Sequence, residues 1–370
     1  MPNHKDIKLM IVTPNFNGGG AQRIAVNLAN YYSSIGIDVS LLVFNSNGPY
    51  KNQVSDTVKL IDIHAPRVRN SFFKVRKIIN SHKPTHILSV IRDGNILLGL
   101  ALLFNRKPIL VYREASTLDN IKRESFLRRC ISIFKLKIGY FRADRVIANS
   151  EDTRKDLIDY KIKKPHKIIV ISNPVLPVNM NELKNKKAKH EWLESENKII
   201  LSVGRFHPLK NQALLIETFN EVVHKVPEAR LLLIGEGELK NKLENKIIDL
   251  GLSEFAQILS FQKNPWPFYK AASVFALTSE WEGFGNVIVE ALACGTPVVS
   301  TDCPGGPRFI LDEGKYGLLI KPNDKDELES ALIALLTQSI VFKEEDLIRR
   351  AKDFSVENIG GDYMEVIKNA

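Results

Sequence analysis

The sequence predicts an α/β protein built from two Rossmann-like, doubly wound domains, and three observations predict it. Short apolar, β-rich runs alternate with longer amphipathic ones through the first half of the chain. The alternation then restarts in the second half. Between the two series lies Asn173-Pro-Val-Leu-Pro177, followed by the charged stretch 181–189, which reads as a linker. Continuous apolar strands alternating with helices imply parallel sheets covered on both faces. At 370 residues and 44% apolar, the chain can bury two cores.

In chain order, residues 7–13, 39–44, 58–63, 85–90, 109–112 and 146–149 carry the strand-like runs of the first series. Helical periodicity over 21–34 and 71–81 lies between them. The second series runs 199–203, 230–234, 257–261, 274–278, 297–301 and 317–320, again with helices between. Two such sheets joined by a Pro-containing linker place a ligand crevice between domains, near the carboxyl ends of the strands.

The residues that carry chemistry follow those strand ends. Ser279-Glu-Trp-Glu-Gly-Phe-Gly-Asn-Val-Ile-Val-Glu290 places Glu282 and Glu290 around a Gly-x-Gly turn, Gly283 and Gly285, that opens an apolar helix. A strand–turn–helix gathers unpaired backbone N–H groups and the positive end of a helix dipole, which suits a phosphate. Glu282, before the turn, reaches what the phosphate carries. Glu290, about two turns into the helix, reaches hydroxyls of the same ligand. The pattern reads as a nucleotide-sugar site.

Val203-Gly-Arg-Phe-His-Pro-Leu-Lys-Asn211 follows the first strand of the second series. Gly204 allows close backbone approach. Arg205 and Lys210 can converge on one diphosphate, the guanidinium as a fork and the ammonium as a point charge; alone, the pair also suits an ordinary surface loop. Near the N-terminus, Asn15-Phe-Asn-Gly-Gly-Gly20 sets Gly18, Gly19 and Gly20 between a strand and a helix. Such a loop approaches a ligand or is simply a tight turn. Arg23 breaks the Gly-x-Gly-x-x-Gly spacing, Leu239 and Lys240 follow Gly235-Glu-Gly237, and no Walker-A Gly-Lys-Ser/Thr occurs. These departures speak against nicotinamide-dinucleotide and P-loop sites.

The first apolar run is too short for a signal-peptide core, and nowhere do about 18 apolar residues follow one another, so a soluble, unexported protein is expected. Cys130, Cys294 and Cys303 form no CxxC pair, which argues against a disulfide framework and a zinc site and for a reducing cytoplasm. His64, His82, His86, His166 and His207 lack metal-ligand spacing and read as ordinary surface or loop residues, although His207, in the 203–211 loop, could line the ligand site. No metal and no cofactor are expected.

The net charge of +10 is unevenly spread: the first 175 residues carry 29 Lys and Arg against 13 Asp and Glu, the remainder 23 against 29. The asymmetry points to an anionic partner, either nucleic acid, anionic lipid or a phosphorylated acceptor, against a merely solvated basic surface. Leu127, Cys130, Ile131, Phe134, Ile138 and Phe141 repeat at helical spacing, flanked by Arg128, Arg129, Lys135 and Lys137. Phe72, Val75 and Ile79 repeat beside Lys74, Arg76 and Lys77. Each stripe either meets an anionic bilayer surface or is buried as domain core. With no nucleic-acid motif or stacking-aromatic pattern, no nucleic-acid partner is expected.

These residues resemble the retaining GT-B glycosyltransferases of family four, the group that builds bacterial surface polysaccharides, over nearly the whole chain. Gly18-Gly-Gly-Ala-Gln-Arg23, Ser172-Asn-Pro174, the 203–211 loop, Ile234-Gly-Glu-Gly237, the 282–290 element and Gly305-Gly-Pro-Arg308 carry the resemblance. It implies a GT-B architecture, two Rossmann-like doubly wound domains facing an interdomain cleft. An acceptor-binding domain would span 1–175, rejoined by the C-terminal helix at about 354–370. A donor-binding domain would span 190–353.

The resemblance further implies that Arg205 and Lys210 hold the donor diphosphate and that Glu282 contacts the donor sugar, these three forming the catalytic set. Glu290 would hold the ribose. Gly204, Gly283, Phe284, Gly285, Asn286 and Val287 would line the donor, and Gly18, Gly19 and Gly20 would face the donor–acceptor junction. Two departures stand out: Arg113 and Glu114 occupy the place where relatives carry a His, and Phe309 stands where an acidic residue is usual. The implied activity is metal-independent transfer of a hexose or N-acetylhexosamine from a UDP-linked donor to a lipid-linked or other saccharide acceptor. Two cations and a helix end would stabilise the departing nucleoside diphosphate. The protein would sit peripherally on the inner, anionic face of the cell membrane through Arg128, Arg129, Lys135 and Lys137. A glycosidase would instead straddle its substrate with the two carboxylates, whereas Glu290 lies inside the helix that the phosphate caps. A UDP-sugar epimerase of the same architecture, needing no acceptor, is the alternative, followed by a non-catalytic nucleic-acid-binding protein.

Overall fold

The computed structural model of the chain describes residues 6–65, 68–122 and 124–370. The expectation about a leader bears partly on residues 1–5, which lie outside them. The chain divides into two units, Met1–Val178 with Phe354–Ala370, and Asn179–Asp353.

The first unit holds β1 (Lys8–Thr13), β2 (Asp38–Val43), β3 (Lys59–Asp62), β4 (His86–Ser89), β5 (Ile109–Glu114), β6 (Arg145–Ala148) and β7 (Ile168–Val170). They form one parallel sheet in the order β3-β2-β1-β4-β5-β6-β7, so the direction of winding reverses between β1 and β4. Five of the six residues of β1 are buried, which a central strand covered on both faces requires. Leu42, Ile87, Leu98, Leu110 and Tyr140 belong to the core beneath the sheet.

The second unit repeats the plan with β8 (Lys198–Val203), β9 (Ala229–Ile234), β10 (Ala256–Leu259), β11 (Val274–Leu277), β12 (Val298–Thr301) and β13 (Leu318–Ile320). Its parallel sheet runs β10-β9-β8-β11-β12-β13, reversing between β8 and β11. Its core is separate and includes Ile200, Phe219, Leu233 and Leu332.

The last helix, Val356–Lys368, packs within the first unit. Tyr32 Oη donates to Gly360 O at 2.8 Å, and the Val175 N–H donates to Phe354 O at 2.8 Å. The charged stretch at 181–189 does not stand free as its composition suggests. It includes the short helix Met180–Lys184, tied to the second unit where Asn264 Nδ2 donates to Leu183 O and Lys270 Nζ to Asn185 Oδ1, both at 2.8 Å. Strand β7, unforeseen, is three residues long, too short to show periodicity.

The two basic helices, alike in sequence, part company. Helix Phe72–His82 buries Val75 and Ile79 in the core. Helix Phe126–Phe141 buries Leu136, Gly139 and Tyr140 instead, and leaves Phe126, Leu127, Ile131, Phe134 and Phe141 exposed.

Candidate active site

In an open parallel sheet, ligands bind outside the carboxyl ends of the strands where the strand order reverses. In the second unit that point lies between β8 and β11, and the loops after these strands carry the predicted site. The loops are laced together. Thr278 Oγ1 donates to the carbonyls of Lys210 and Asn211, both at 3.0 Å, and the Glu280 N–H donates to Leu209 O at 2.9 Å. Lys210 Nζ thereby meets Glu282 Oε1, which also accepts from Ser279 Oγ at 2.7 Å. The Glu282 side chain is 8% exposed and that of Lys210 25%. The other Glu282 oxygen takes no hydrogen bond from a described residue. Arg205 is exposed and forms no ion pair with a described residue. The two cations therefore differ: one is already balanced by a carboxylate, the other is uncommitted.

Beyond Glu282 the chain turns at Gly285, whose φ of +95° favours glycine, into helix Asn286–Ala293. Gly283 and Phe284 lead into that turn, and the N–H groups of Asn286 and Val287 lie in the first turn of the helix, at the positive end of its dipole. Gly305 supports the loop by close approach, since a Cβ there would lie 2.0 Å from Glu282 O. Glu290 is buried inside the helix, where its Oε2 accepts from Tyr269 Oη at 2.8 Å. Burial pushes the thiols of Cys303 and Cys294 up to about 12, helped by the charges of Glu282 and Glu290 respectively, so both stay protonated.

A cavity of about 480 Å³ opens at the carboxyl end of β10, lined by Lys187, Lys189, Phe261, Lys263, Asn264 and Phe268. Phe268 and Tyr269, the partner of Glu290, are neighbours on helix Trp266–Ala271. Sequence reasoning passed over this cavity. Its signal was Phe261-Gln-Lys-Asn264 directly after a strand end.

In the first unit, Gly18, Gly19 and Gly20 connect β1 to helix Gly20–Ser34, with Gly19 extended at the N-cap. Arg113 and Glu114, at the end of β5, are each 1% exposed. Arg113 Nη2 donates to Asn173 Oδ1 at 2.6 Å. Glu114 accepts from Arg92 Nη2 at 2.9 Å, Arg92 Nε at 3.2 Å and Tyr140 Oη at 2.5 Å. Burial, and then the Glu114 charge, push the Tyr140 phenol well above its ordinary value, which keeps it a donor. Both side chains are thus engaged inside the unit. Arg92, 21% exposed at the start of helix Arg92–Ala101 after β4, is the more open cation at this unit's point of reversal. Its sequence signal, an Arg just past a strand end, was not singled out.

Other nominated residues have local duties. His207 Nδ1 accepts from the Leu209 N–H at 3.3 Å and so closes the turn that presents Lys210. Phe309 is 56% exposed, with the Arg350 guanidinium 5.5 Å from its ring centre. Asp324-Lys-Asp326 has an Asp-x-Asp spacing, but Asp324 caps helix Lys325–Leu336 by accepting from the Glu327 N–H at 2.9 Å. Among the described residues, no three His, Cys, Asp or Glu are grouped to hold a metal, and no helix is long and apolar enough to cross a membrane.

Comparison with known proteins bears on the fold and the family. The family model described as Glycosyltransferase Family 4 matches residues 18–177, and the one described as Glycosyl transferases group 1 matches residues 184–354. The chain is 28% identical over 355 residues to the N-acetylgalactosamine-N,N'-diacetylbacillosaminyl-diphospho-undecaprenol 4-alpha-N-acetylgalactosaminyltransferase of Campylobacter jejuni, covering 93% of this chain and 92% of that one. It is 24% identical over 357 residues to the UDP-Gal:alpha-D-GlcNAc-diphosphoundecaprenol alpha-1,3-galactosyltransferase of Escherichia coli, covering 91% and 90%. Anabaena HepE, solved with UDP-glucose, has a TM-score of 0.80 at 22% identity, covering 98% of this chain and 100% of that one. WaaG, a glycosyltransferase involved in lipopolysaccharide biosynthesis, has a TM-score of 0.74 at 17% identity, covering 98% and 100%. At such identities these structures speak for the fold, which is GT-B.

Proposed function

We infer that a chain whose first unit matches the Glycosyltransferase Family 4 model and whose second matches the Glycosyl transferases group 1 model belongs among the glycosyltransferases. On that premise we propose that it moves a hexose or N-acetylhexosamine from a UDP sugar to a lipid-linked saccharide in surface-polysaccharide assembly, with retention of configuration and without a metal. The observation that carries the reading is the Lys210–Glu282 pair set before a helix N-terminus where the order of the second sheet reverses. A diphosphate there meets the Lys210 ammonium, the uncommitted Arg205 guanidinium and the first-turn N–H groups. Together these stabilise the charge that grows on the leaving nucleoside diphosphate. Glu282, oriented by Lys210 and Ser279, offers its remaining oxygen to a hydroxyl of the sugar. Glu290, oriented by Tyr269, accepts from the ribose, and the cavity beside Phe268 takes the nucleobase. The first unit binds the acceptor, with Gly18, Gly19, Gly20 and Arg92 nearest its point of reversal. The Campylobacter and Escherichia relatives, both named for diphospho-undecaprenol saccharides, support a lipid-linked acceptor. The basic first half supports attachment to the inner membrane face.

The test is product analysis over a panel of UDP sugars, with and without a lipid-diphosphate-linked saccharide. Acceptor-dependent transfer with the donor's anomeric configuration preserved, unchanged by EDTA, is expected. Epimerised UDP sugar without acceptor would make the protein an epimerase. An inverted product removes retention, and activity lost in EDTA but restored by a divalent ion removes metal independence.

A further inference from the structure

Helix Arg92–Ala101 begins where the first sheet reverses, directly after β4, and its first turn carries a cation and an acid side by side, Arg92 and Asp93. The Arg92 guanidinium is held along one edge. Its Nε donates to Glu114 Oε2 at 3.2 Å, and its Nη2 donates to Glu114 Oε1 at 2.9 Å, Ser116 O at 3.1 Å and Thr117 O at 3.2 Å. Glu114 is fixed in turn by Tyr140 Oη, which accepts from Asn95 Nδ2 at 2.9 Å. Asn95 lies on the same helix as Arg92, so this ring of hydrogen bonds starts and ends there. A guanidinium is planar, and fixing Nε and Nη2 also fixes the direction of Nη1. Nη1 donates to no described residue, and the side chain is partly exposed. Asp93 is exposed and forms no ion pair or side-chain hydrogen bond with a described residue.

The chemistry of the pair narrows what it can bind. Nη1 only donates and a carboxylate only accepts, so together they suit groups that do both, such as neighbouring hydroxyls of a sugar or a hydroxyl beside an acetamide. Charge narrows it further. Glu114 balances Arg92, and Arg113, next along β5, takes the other face of the sheet, where it donates to Asn173 Oδ1. Asp93 is then the unbalanced charge of this turn. The helix dipole opposes it with only about half a positive charge, so a carboxylate or phosphate arriving here is repelled. We propose that Arg92 and Asp93 recognise the terminal sugar of the acceptor and select a neutral sugar over a uronic acid or a phosphorylated one. The inference rests on the reading of a saccharide acceptor bound by the first unit, and it adds the residues that meet the sugar and the charge they accept. Glu114, buried at the strand end, is a positioning residue that acts through Arg92.

The test is calorimetric titration of the full chain, with UDP present, by two series of saccharides. One series is farnesyl-diphosphate-linked and ends in glucose, N-acetylglucosamine, N-acetylgalactosamine or glucuronic acid; the other is the matching methyl glycosides. Wild type should bind at least one neutral terminus about tenfold or more tightly than the glucuronide of the same series. Asp93→Asn should weaken neutral binding by about tenfold and narrow the preference over glucuronide to about threefold or less. Its UDP affinity and thermal midpoint should match wild type. An acid that serves only the helix dipole would leave saccharide affinity unmoved as well. Arg92→Lys, which keeps the charge and loses the planar fork, should weaken the neutral saccharides too; should it fail to fold, Asp93→Asn, at an exposed position, still decides. Wild-type affinity and preference in Asp93→Asn overturn the inference, as does a wild type that favours the glucuronide. Glycosyl transfer that persists beside either result leaves the enzyme reading intact. Binding of no saccharide in either series overturns both, and binding of methyl glycosides alone removes only the lipid.

Discussion

Lys210 and Arg205 follow the same strand, yet their surroundings give them different work. Lys210 neutralises a Glu282 that is 8% exposed, so Lys210→Ala leaves that carboxylate with Ser279 as its remaining donor. Losing one partner of a buried pair costs about 3–5 kcal/mol. Because Lys210 is itself a quarter exposed, a loss of about 2 kcal/mol is expected, together with weaker UDP binding. Arg205→Ala should weaken UDP binding while leaving stability within about 0.5 kcal/mol, as for surface sites away from buried networks. Urea denaturation with and without UDP measures both quantities. Equal stability losses would mean that the Lys210–Glu282 pair does not form in solution.

At the scale of the element, helix Phe126–Phe141 is anchored at its carboxyl end by Lys163, whose Nζ donates to the carbonyls of Tyr140 at 2.9 Å and Phe141 at 3.0 Å. A cation is favoured there by the helix dipole. Burial, followed by the charge of Lys167, nevertheless pushes the ammonium down to about 8, with Asp144 opposing and Arg142 and Arg106 adding to the decrease. The sign follows from proton counts. Between about pH 8 and the ordinary lysine value near 10.4, the unfolded chain holds a proton on Lys163 that the folded chain has released. Stability from this group therefore rises with pH across that window, and below it the penalty for the charged form is present in full. Wild type should gain on Lys163→Met as pH is raised from about 8 to about 10, read from urea midpoints. Parallel curves would show that the Lys163 amine titrates normally.

At the scale of the molecule, each unit has its own core, and the chain leaves the first only to return to it. The returning segment buries Phe354, Ile359, Tyr363 and Ile367. Each is worth about 1.5–3 kcal/mol, together comparable to the whole margin of a domain. Deleting 354–370 should abolish or sharply lower the calorimetric transition of the first unit. The second unit should keep a transition that UDP raises, because a ligand that binds only the native form stabilises what it binds. If the deletion lowers the UDP-responsive transition instead, the segment supports the other unit.

The sequence by itself determined the features written in consecutive residues. Twelve of the thirteen strands are legible as apolar runs, because a strand covered on both faces must be apolar along its length. The turn before helix Asn286–Ala293 is legible because only a glycine-rich stretch makes it easily, and the spacing of Glu282 and Glu290 follows from the turn and helix they flank. Tertiary structure decided what depends on residues far apart. Nothing local in 126–141 or 72–82 tells which stripe is covered; the answer lies in Gly99, Glu114 and the core they meet. Arg113 and Glu114 look available in sequence and are engaged because Asn173, Arg92 and Tyr140 reach them across the sheet. Lys210 and Glu282 become partners 72 residues apart through the parallel pairing of β8 with β11, a contact that no periodicity encodes. Local pattern records how each segment must be buried, and only the assembled sheet decides which segments bury one another.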